Sequence, residues 1–374
     1  MILHLLNLLA RLPRLGVKAL PVAGRSSFSF AGTTRLPFYV LGVLVLAACN
    51  DASTTAQEPV PTNYEKTGSV EKFDPALDNI IKADATAEII ATGFDWTEGP
   101  LWVPSKQMLL FSDVPRDTIF KWTEAEGISV YLTPSGYTDT IPRGGEMGSN
   151  GLTLDKDGRL VMCQCGNRQM ALMDAPLDKP APKFIPLADN WEGKKFNSPN
   201  DVVFNSKGEL FFTDPPYGLE KHMDDPKKEI PFQGVYKVGA DGKVQLMVDS
   251  LTRPNGIAFL PGEQTVIIAN SDPAKPHWYA YDIDANGQFT NGRIFHTAAG
   301  NRGERGLPDG LKVDKNGNVF ASGPGGIWII SAEGKLLGKF KVPDGPASNC
   351  AFSEDEKTLY ITNDGRILRL RLRD

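Results

Sequence analysis

At 374 residues, with 41% hydrophobic and 23% charged residues, the chain has the composition of a globular protein with ample material for a core. A formal charge of −5 and a pI of about 5.6 exclude nucleic acid as a partner, because phosphate binding needs a concentrated basic face.

Residues 1–49 differ in character from the rest of the chain. They hold Arg11, Arg14, Lys18, Arg25 and Arg35 and no acidic residue, so the remainder carries a formal charge of −10. The apolar run "LPFYVLGVLVLAAC" is too short for a membrane span of about 20 residues. It ends in small residues before Cys49, the form of a secretory signal. Leu46-Ala47-Ala48-Cys49 resembles the lipobox of bacterial lipoproteins. That resemblance implies cleavage before Cys49, lipidation of its sulfur, and a periplasmic protein that meets the membrane only through this anchor. An uncleaved anchor or a soluble periplasmic product is the alternative. The long basic stretch ahead of the apolar run points to a translation start downstream of Met1. Residues 50–83, polar, rich in Pro and Thr and without apolar periodicity, read as a tether.

From residue 84 a unit repeats. "TEGPLWV" at Glu98, "SNGLTLD" at Asn150, "PNDVVFN" at Asn200, "PNGIAFL" at Asn255, "PDGLKVD" at Asp309 and "SNCAFSE" at Asn349 each place an acid or amide ahead of a short apolar strand, at spacings of 52, 50, 55, 54 and 40 residues. A turn and a second strand come after each copy, ending at Asp113, Gln164, Asp214, Asn270, Gly323 and Asn363. Six strand-hairpin units at a period near 50 predict an all-β fold, a six-bladed β-propeller with four-stranded blades around a central channel, over residues 84–374. The strand near "AEIIATG" is expected to pair with the C-terminal "RILRLRLR" and close the ring. Cys163, Cys165 and Cys350 lack zinc-ligand spacing and read as small buried hydrophobes.

If the repeated position opens the innermost strand of each blade, symmetry gathers these six oxygen-bearing side chains at one end of the channel. Local turns to their own backbone are the competing explanation for such residues. Two carboxylates with several amide carbonyls make a hard oxygen cage for one divalent metal ion. Calcium tolerates such an irregular set best, with zinc, manganese and magnesium as alternatives. His222, His277 and His296 match none of the repeat positions and read as surface or packing residues. Asp282-Ile283-Asp284-Ala285-Asn286-Gly287, Asp155-Lys156-Asp157-Gly158 and Asp314-Lys315-Asn316-Gly317 begin like calcium loops but lack the closing Glu, and read as hairpin turns.

Together, "WTEGPLWV", "GSNGLTLDKDGRLVMC", "NSPNDVVFNSKGELFFTDPPYGL", "LTRPNGIAF" and "GLPDGLKVDKNGNVFASGPGG" resemble the gluconolactonase/senescence marker protein (regucalcin-like) family in its bacterial branch, from about Phe73 to the end. The resemblance implies a metal-dependent lactonase acting on sugar lactones such as gluconolactone. Carried over by motif, Glu98, Asn255 and Asp309 are metal ligands, and Asn200 faces metal or substrate. Asn150, Asn200, Tyr217 and Arg143 are assigned to substrate, although Tyr217, Arg143 and Glu146 could equally stabilise loops. One departure stands out: relatives carry a histidine where "CQCGNRQ" has Cys165.

Ester hydrolysis needs an activated water, a polarised carbonyl and a stabilised oxyanion, and a metal supplies the last two. No Gly-x-Ser-x-Gly elbow offers a serine nucleophile. Asp309 is therefore the candidate general base, with Glu146 in reserve. A phosphotriesterase using the same metal, or a lipid-anchored binding propeller without catalysis, are the competing functions. The oligomeric state is not legible.

Overall fold

The computed structural model describes residues 63–301 and 303–373; Cys49, the signal segment and the start of the tether lie outside the described residues. Six antiparallel sheets form the four-stranded blades of a β-propeller, two of them extended by a fifth strand. Their innermost strands are Thr97–Val103, Ser149–Leu154, Val202–Phe204, Pro254–Phe259, Leu311–Val313 and Ala347–Phe352, one from each repeat. Blades 1 to 5 run outward in chain order. Blade 6 takes its outer strand, Ala87–Thr92, from the N-terminal side, where it pairs with Arg366–Arg371 as the ring-closing expectation required.

Successive residues of the second strands bury on opposite faces, against different neighbouring blades. In blade 1, Leu109 and Phe111 pack with Tyr360 and Ile367 of blade 6, while Leu110 packs with Met162 of blade 2. In blade 3, Phe212 meets Cys163 of blade 2 and Phe211 meets Ile257 of blade 4. This is why stretches such as "MLLFSD" read as continuous apolar runs: a strand covered on both faces has no solvent side to make polar. Cys163, Cys165 and Cys350 are buried free thiols, as expected.

The tether boundary at residue 83 needs correction. Lys66–Thr67 adds to blade 6 through Lys66 opposite Glu88, and Ser69–Lys72 adds to blade 5 through Ser69 opposite Lys341. Gly68 turns the chain between them at φ +81, where an added Cβ would lie 2.4 Å from the Phe340 ring. A 3₁₀ turn at Pro75–Asn79 comes next, and Leu77 and Ile81, each 1% exposed, enter the core of blades 5 and 6. Strands of two and four residues are too short to display alternation, and their partners lie far away in sequence, so the segment read as polar linker.

Candidate active site at the channel mouth

The inner strands of blades 1, 2 and 4 begin irregularly, and that irregularity aims the repeated side chain. The register of inner on second strand shifts between Glu98 and Leu101, between Ser149 and Leu152, and between Pro254 and Ile257. A bulge of this kind re-aims a side chain away from the alternating pattern, here Glu98, Asn150 and Asn255. The glycine after it is required by the next blade. A Cβ on Gly99 would sit 1.9 Å from the Asn150 carbonyl oxygen, and one on Gly256 2.4 Å from that of Asp309. The ring is stitched at this level by Gly151 N–H to Asn200 O (2.7 Å) and Gly310 N–H to Ser348 O (2.7 Å).

The polar residues that end the second strands fasten the segment leading into the first. Asp113 accepts from the N–H of Asp95 (3.1 Å) and Trp96 (3.2 Å), and Asp214 from those of Asn197 (2.8 Å) and Ser198 (2.7 Å). Asn270 accepts from Arg253 N–H (2.8 Å), while Asn363 Nδ2 donates to the carbonyls of Gly345 (3.0 Å) and Pro346 (2.9 Å). The two repeated polar positions thus form a pair: the second fixes the backbone that presents the first.

The result is a cavity of about 330 Å³ whose wall includes Trp96, Glu98, Glu146, Asn150, Asn200, Tyr217, Asn255, Ser271 and Asp309. A larger cleft, about 620 Å³, opens between the hairpins of blades 2 and 3 near Asp155, Phe204 and Lys207. Its Asp155 and Asn205 side chains are occupied by their own turns, so the smaller cavity, with convergent polar groups, is the functional candidate.

The carboxyls in this cavity oppose one another. Burial, then the nearby charges of Asp309, Glu146 and Asp201, hold the Glu98 carboxyl well above the usual range. Burial, then Glu146 and Asp201, do the same to Asp309, partly offset by hydrogen bonds from Asn255 and the Gly310 N–H. Burial pushes Glu146 up to about 7. Asp309 Oδ1 and Asn150 Oδ1 are buried without a hydrogen-bond partner, and among the described residues no lysine or arginine lines the cavity. Crowded carboxyls and orphaned acceptor oxygens fit a bound cation, which would relieve both. Among the described residues no group of three His, Cys, Asp or Glu side chains is arranged to hold a metal. A ligand set here therefore has to mix the carboxylates of Glu98 and Asp309 with the amide oxygens of Asn200 and Asn255.

Two expectations change. Arg143 does not line the cavity; its guanidinium donates to the carbonyls of Gly166 (2.9 Å), Gly144 (3.2 Å) and Gly218, which makes it a loop clamp. Asn349 leaves the ring of six, because its Oδ1 accepts from Cys350 N–H (2.8 Å) and Lys312 Nζ (3.4 Å), and Pro346 and Ala347 line the wall instead. Cys165 lies beneath the wall with its Sγ 3.1 Å from the Pro199 carbonyl oxygen. None of the described histidines lines the cavity: His277 meets Thr297, His296 meets the Gly334 carbonyl, and His222 packs edge-on against the Tyr217 ring. Two positioning residues escaped the repeat pattern. Asp117 Oδ1 accepts from the N–H of Ser135 (3.0 Å), Gly136 (2.6 Å) and Tyr137 (3.2 Å), organising the loop that carries Glu146. Ser271, one residue past the repeated Asn270, joins the wall beside Asn255.

Residues 96–364 match the SMP-30/Gluconolactonase/LRE-like region. The gluconolactonase of Zymomonas mobilis is 40% identical over 315 residues, covering 83% of this chain and 87% of that protein. The structure of a gluconolactonase from Xanthomonas campestris superposes with a TM-score of 0.71 at 29% identity, over 84% of this chain and 99% of that one. A calcium-binding regucalcin from Agrobacterium tumefaciens shares the fold, with a TM-score of 0.60 at 18% identity over 76% and 92% of the two chains. The repeats, the six blades and these matches converge: the chain belongs to the SMP-30/gluconolactonase/LRE-like family.

Proposed function

We propose that the protein hydrolyses sugar lactones of the gluconolactone class, with one divalent cation, calcium foremost, held by Glu98, Asn255 and Asp309 with Asn200 adjacent. The observation that carries this reading is the acceptor-lined cavity, in a chain 40% identical to a gluconolactonase. When bound, the cation would polarise the lactone carbonyl and stabilise the oxyanion. Asp309, with Oδ1 unpartnered, takes the proton of the attacking water; Glu146, in the same wall, is the reserve base. Asn150, Asn200 and Tyr217 meet the substrate hydroxyls. Anchoring through Cys49 at the periplasmic membrane face belongs to the same proposal and rests on the lipobox-like sequence; fatty-acid labelling of wild type but not of Cys49→Ser is its test.

The deciding experiment assays extensively dialysed protein on gluconolactone, an unsubstituted lactone and a phosphotriester, before and after calcium is added. Calcium-restored turnover of gluconolactone is expected. Turnover of the phosphotriester alone, or of nothing, would overturn the reading.

A further inference from the structure

Five of the six tryptophans pair with another ring: Trp102 and Trp122 with Tyr360, Trp191 with Phe232, and Trp278 with Trp328. The sixth, Trp96, lines the cavity and is half-buried. Among the described residues no ring packs on it and no side chain bonds its indole. Its backbone is fixed: the N–H donates to Asp113 Oδ1 (3.2 Å) and the carbonyl oxygen accepts from the Val114 N–H (3.0 Å). A partly exposed indole, held in place and without a ring partner, is an apolar face offered to a ligand.

Leu307, Pro346 and Ala347 line the same cavity. Ser348 Oγ donates to the Thr97 carbonyl oxygen at 2.6 Å, so Ala347 and Trp96, the residues just before these two, open neighbouring strands. Gly306 lies against Pro346, where an added Cβ would come 3.5 Å from the proline Cβ. Leu307 follows directly, between the Arg305 carbonyl oxygen, which accepts from the Gly325 N–H (2.9 Å), and that of Pro308, which accepts from Ser271 Oγ. These apolar residues belong to the mouths of blades 5, 6 and 1, the side from which Asn349 has withdrawn. Asn150, Asn200, Tyr217, Asn255 and Ser271 belong to blades 2 to 4. The cavity therefore has an apolar side facing a polar one.

We propose that Trp96, with Leu307 and Pro346, is a ring-binding platform: the C–H face of a cyclic sugar lies on the indole while its hydroxyls turn toward blades 2 to 4. The δ-lactone of gluconic acid carries hydroxyls around its edge and C–H bonds on its faces, the distribution of polarity that this cavity matches. The open-chain acid formed by hydrolysis has no such face, so the platform recognises substrate and not product. That the bound ring is a lactone rests on the lactonase reading; the platform does not.

The test uses a ring that cannot be hydrolysed. 1,5-Anhydroglucitol keeps the ring and its hydroxyls without a carbonyl, and glucitol keeps the hydroxyls on an open chain. Dissociation constants of both are measured by ligand-observed NMR on calcium-loaded protein, beside kcat and KM on gluconolactone. Wild type is expected to favour the ring about tenfold. Trp96→Ala should lose that preference and raise KM about tenfold with kcat within about twofold, the mark of a group that holds substrate and transition state alike. Trp96→Phe should recover most of both. Leu307→Ala should weaken ring binding about threefold, and decides by the same preference should Trp96→Ala not fold. A wild type that binds both sugars equally, or neither, would overturn the proposal. So would Trp96→Ala with ring affinity unchanged, or with both sugars weakened by the same factor. Ring preference that depends on Trp96 in a protein inactive on every lactone would sink the lactonase reading alone.

Discussion

At the end of the blades remote from the cavity, Asp155, Asn205, Asp284 and Asp314 each fold Oδ1 onto two N–H groups of their own hairpin. Asp314 reaches Asn316 (2.9 Å) and Asn318 (2.7 Å), and Asp284 reaches Asn286 and Gln288 at 2.8 Å each. At the cavity end the same residue types open the inner strands, yet Asn150 Oδ1 and Asp309 Oδ1 find no partner at all. An Asp or Asn side chain thus closes a turn at one end and stands buried with an unpartnered oxygen at the other. What separates the two is backbone geometry: a turn brings N–H groups back within reach of the side chain, whereas at the mouth of an inner strand no N–H group comes within reach of these two oxygens. The three sequences that begin like calcium loops belong to the first kind, since their acceptor oxygens are already spoken for.

The sharpest way to break this contrast is at Asp309. Asp309→Asn keeps an oxygen ligand of nearly the same shape but cannot take a proton from water. Lactone hydrolysis is expected to fall about 10²–10⁴-fold at saturating calcium, the range for a positioned acid–base group. Calorimetry should show weakened but measurable calcium binding. Full recovery of rate with excess calcium would make Asp309 a ligand only and move the base to Glu146. Glu98→Gln should chiefly lower calcium content after dialysis, read by elemental analysis.

Proton linkage gives the next contrast, with opposite signs at the two ends. Glu98 and Asp309 are held well above the usual carboxylate range, and Glu146 and Asp214 at about 7, in each case first by burial. Between the ordinary carboxylate range and about pH 7 the folded chain keeps protons that the unfolded chain has released. Stability of cation-free protein must therefore fall as pH rises through that window. At the far end Asp355 is lowered by its hydrogen bond from Ser353, and so adds stability above the ordinary range that is lost only in acid. Melting curves from pH 4.5 to 8 in chelator should show the decline. Glu146→Gln should flatten it, and calcium should oppose it. A melting temperature that rises across this window would refute the assignment.

These contrasts explain what was legible in the chain itself. The repeat brought Glu98, Asn150, Asn200, Asn255 and Asp309 together, and they do line one cavity, because each blade presents one residue at an equivalent place and similar geometry leaves a similar trace. Asn349 carried that trace too, but Lys312, three residues past the repeated Asp309 where no other copy has a charge, captures its side chain. Asp117 and Ser271 were invisible for a different reason. Each bonds to a loop that differs from blade to blade, Asp117 to the Ser135–Tyr137 backbone and Ser271 to the Pro308 carbonyl, so no periodicity marks them. The strands at Lys66–Thr67 and Ser69–Lys72 exist only through partners far along the chain, and local pattern is silent about those.

A smaller effect is expected where the cavity depends on such a loop. Asp117→Ala removes the acceptor that gathers three consecutive N–H groups ahead of Glu146. A displaced Glu146 should lower kcat about tenfold with little change in calcium affinity, since small misplacements of reacting groups are costly. Reduced stability with unchanged kcat would show that Asp117 shapes the loop without serving the chemistry.

The smallest expected effect tests the far end itself. Asp314→Ala deletes an Oδ1 that accepts two backbone hydrogen bonds and an Oδ2 that accepts from Asn318 Nδ2 at 2.8 Å. The hairpin joins two strands of blade 5 and lies partly in solvent, so water can take over part of this bonding. The loss should be about 1–2 kcal/mol, read as a few degrees in melting temperature. Asp314→Asn, which can still accept through its oxygen, should recover most of it. Both variants should keep kcat, KM and calcium affinity within about twofold of wild type, because nothing in this turn reaches the channel mouth. A turn variant that lost calcium or activity while remaining folded would mean that the two ends are coupled through the inner strand, and that the division between closing and unpartnered carboxylates is too simple.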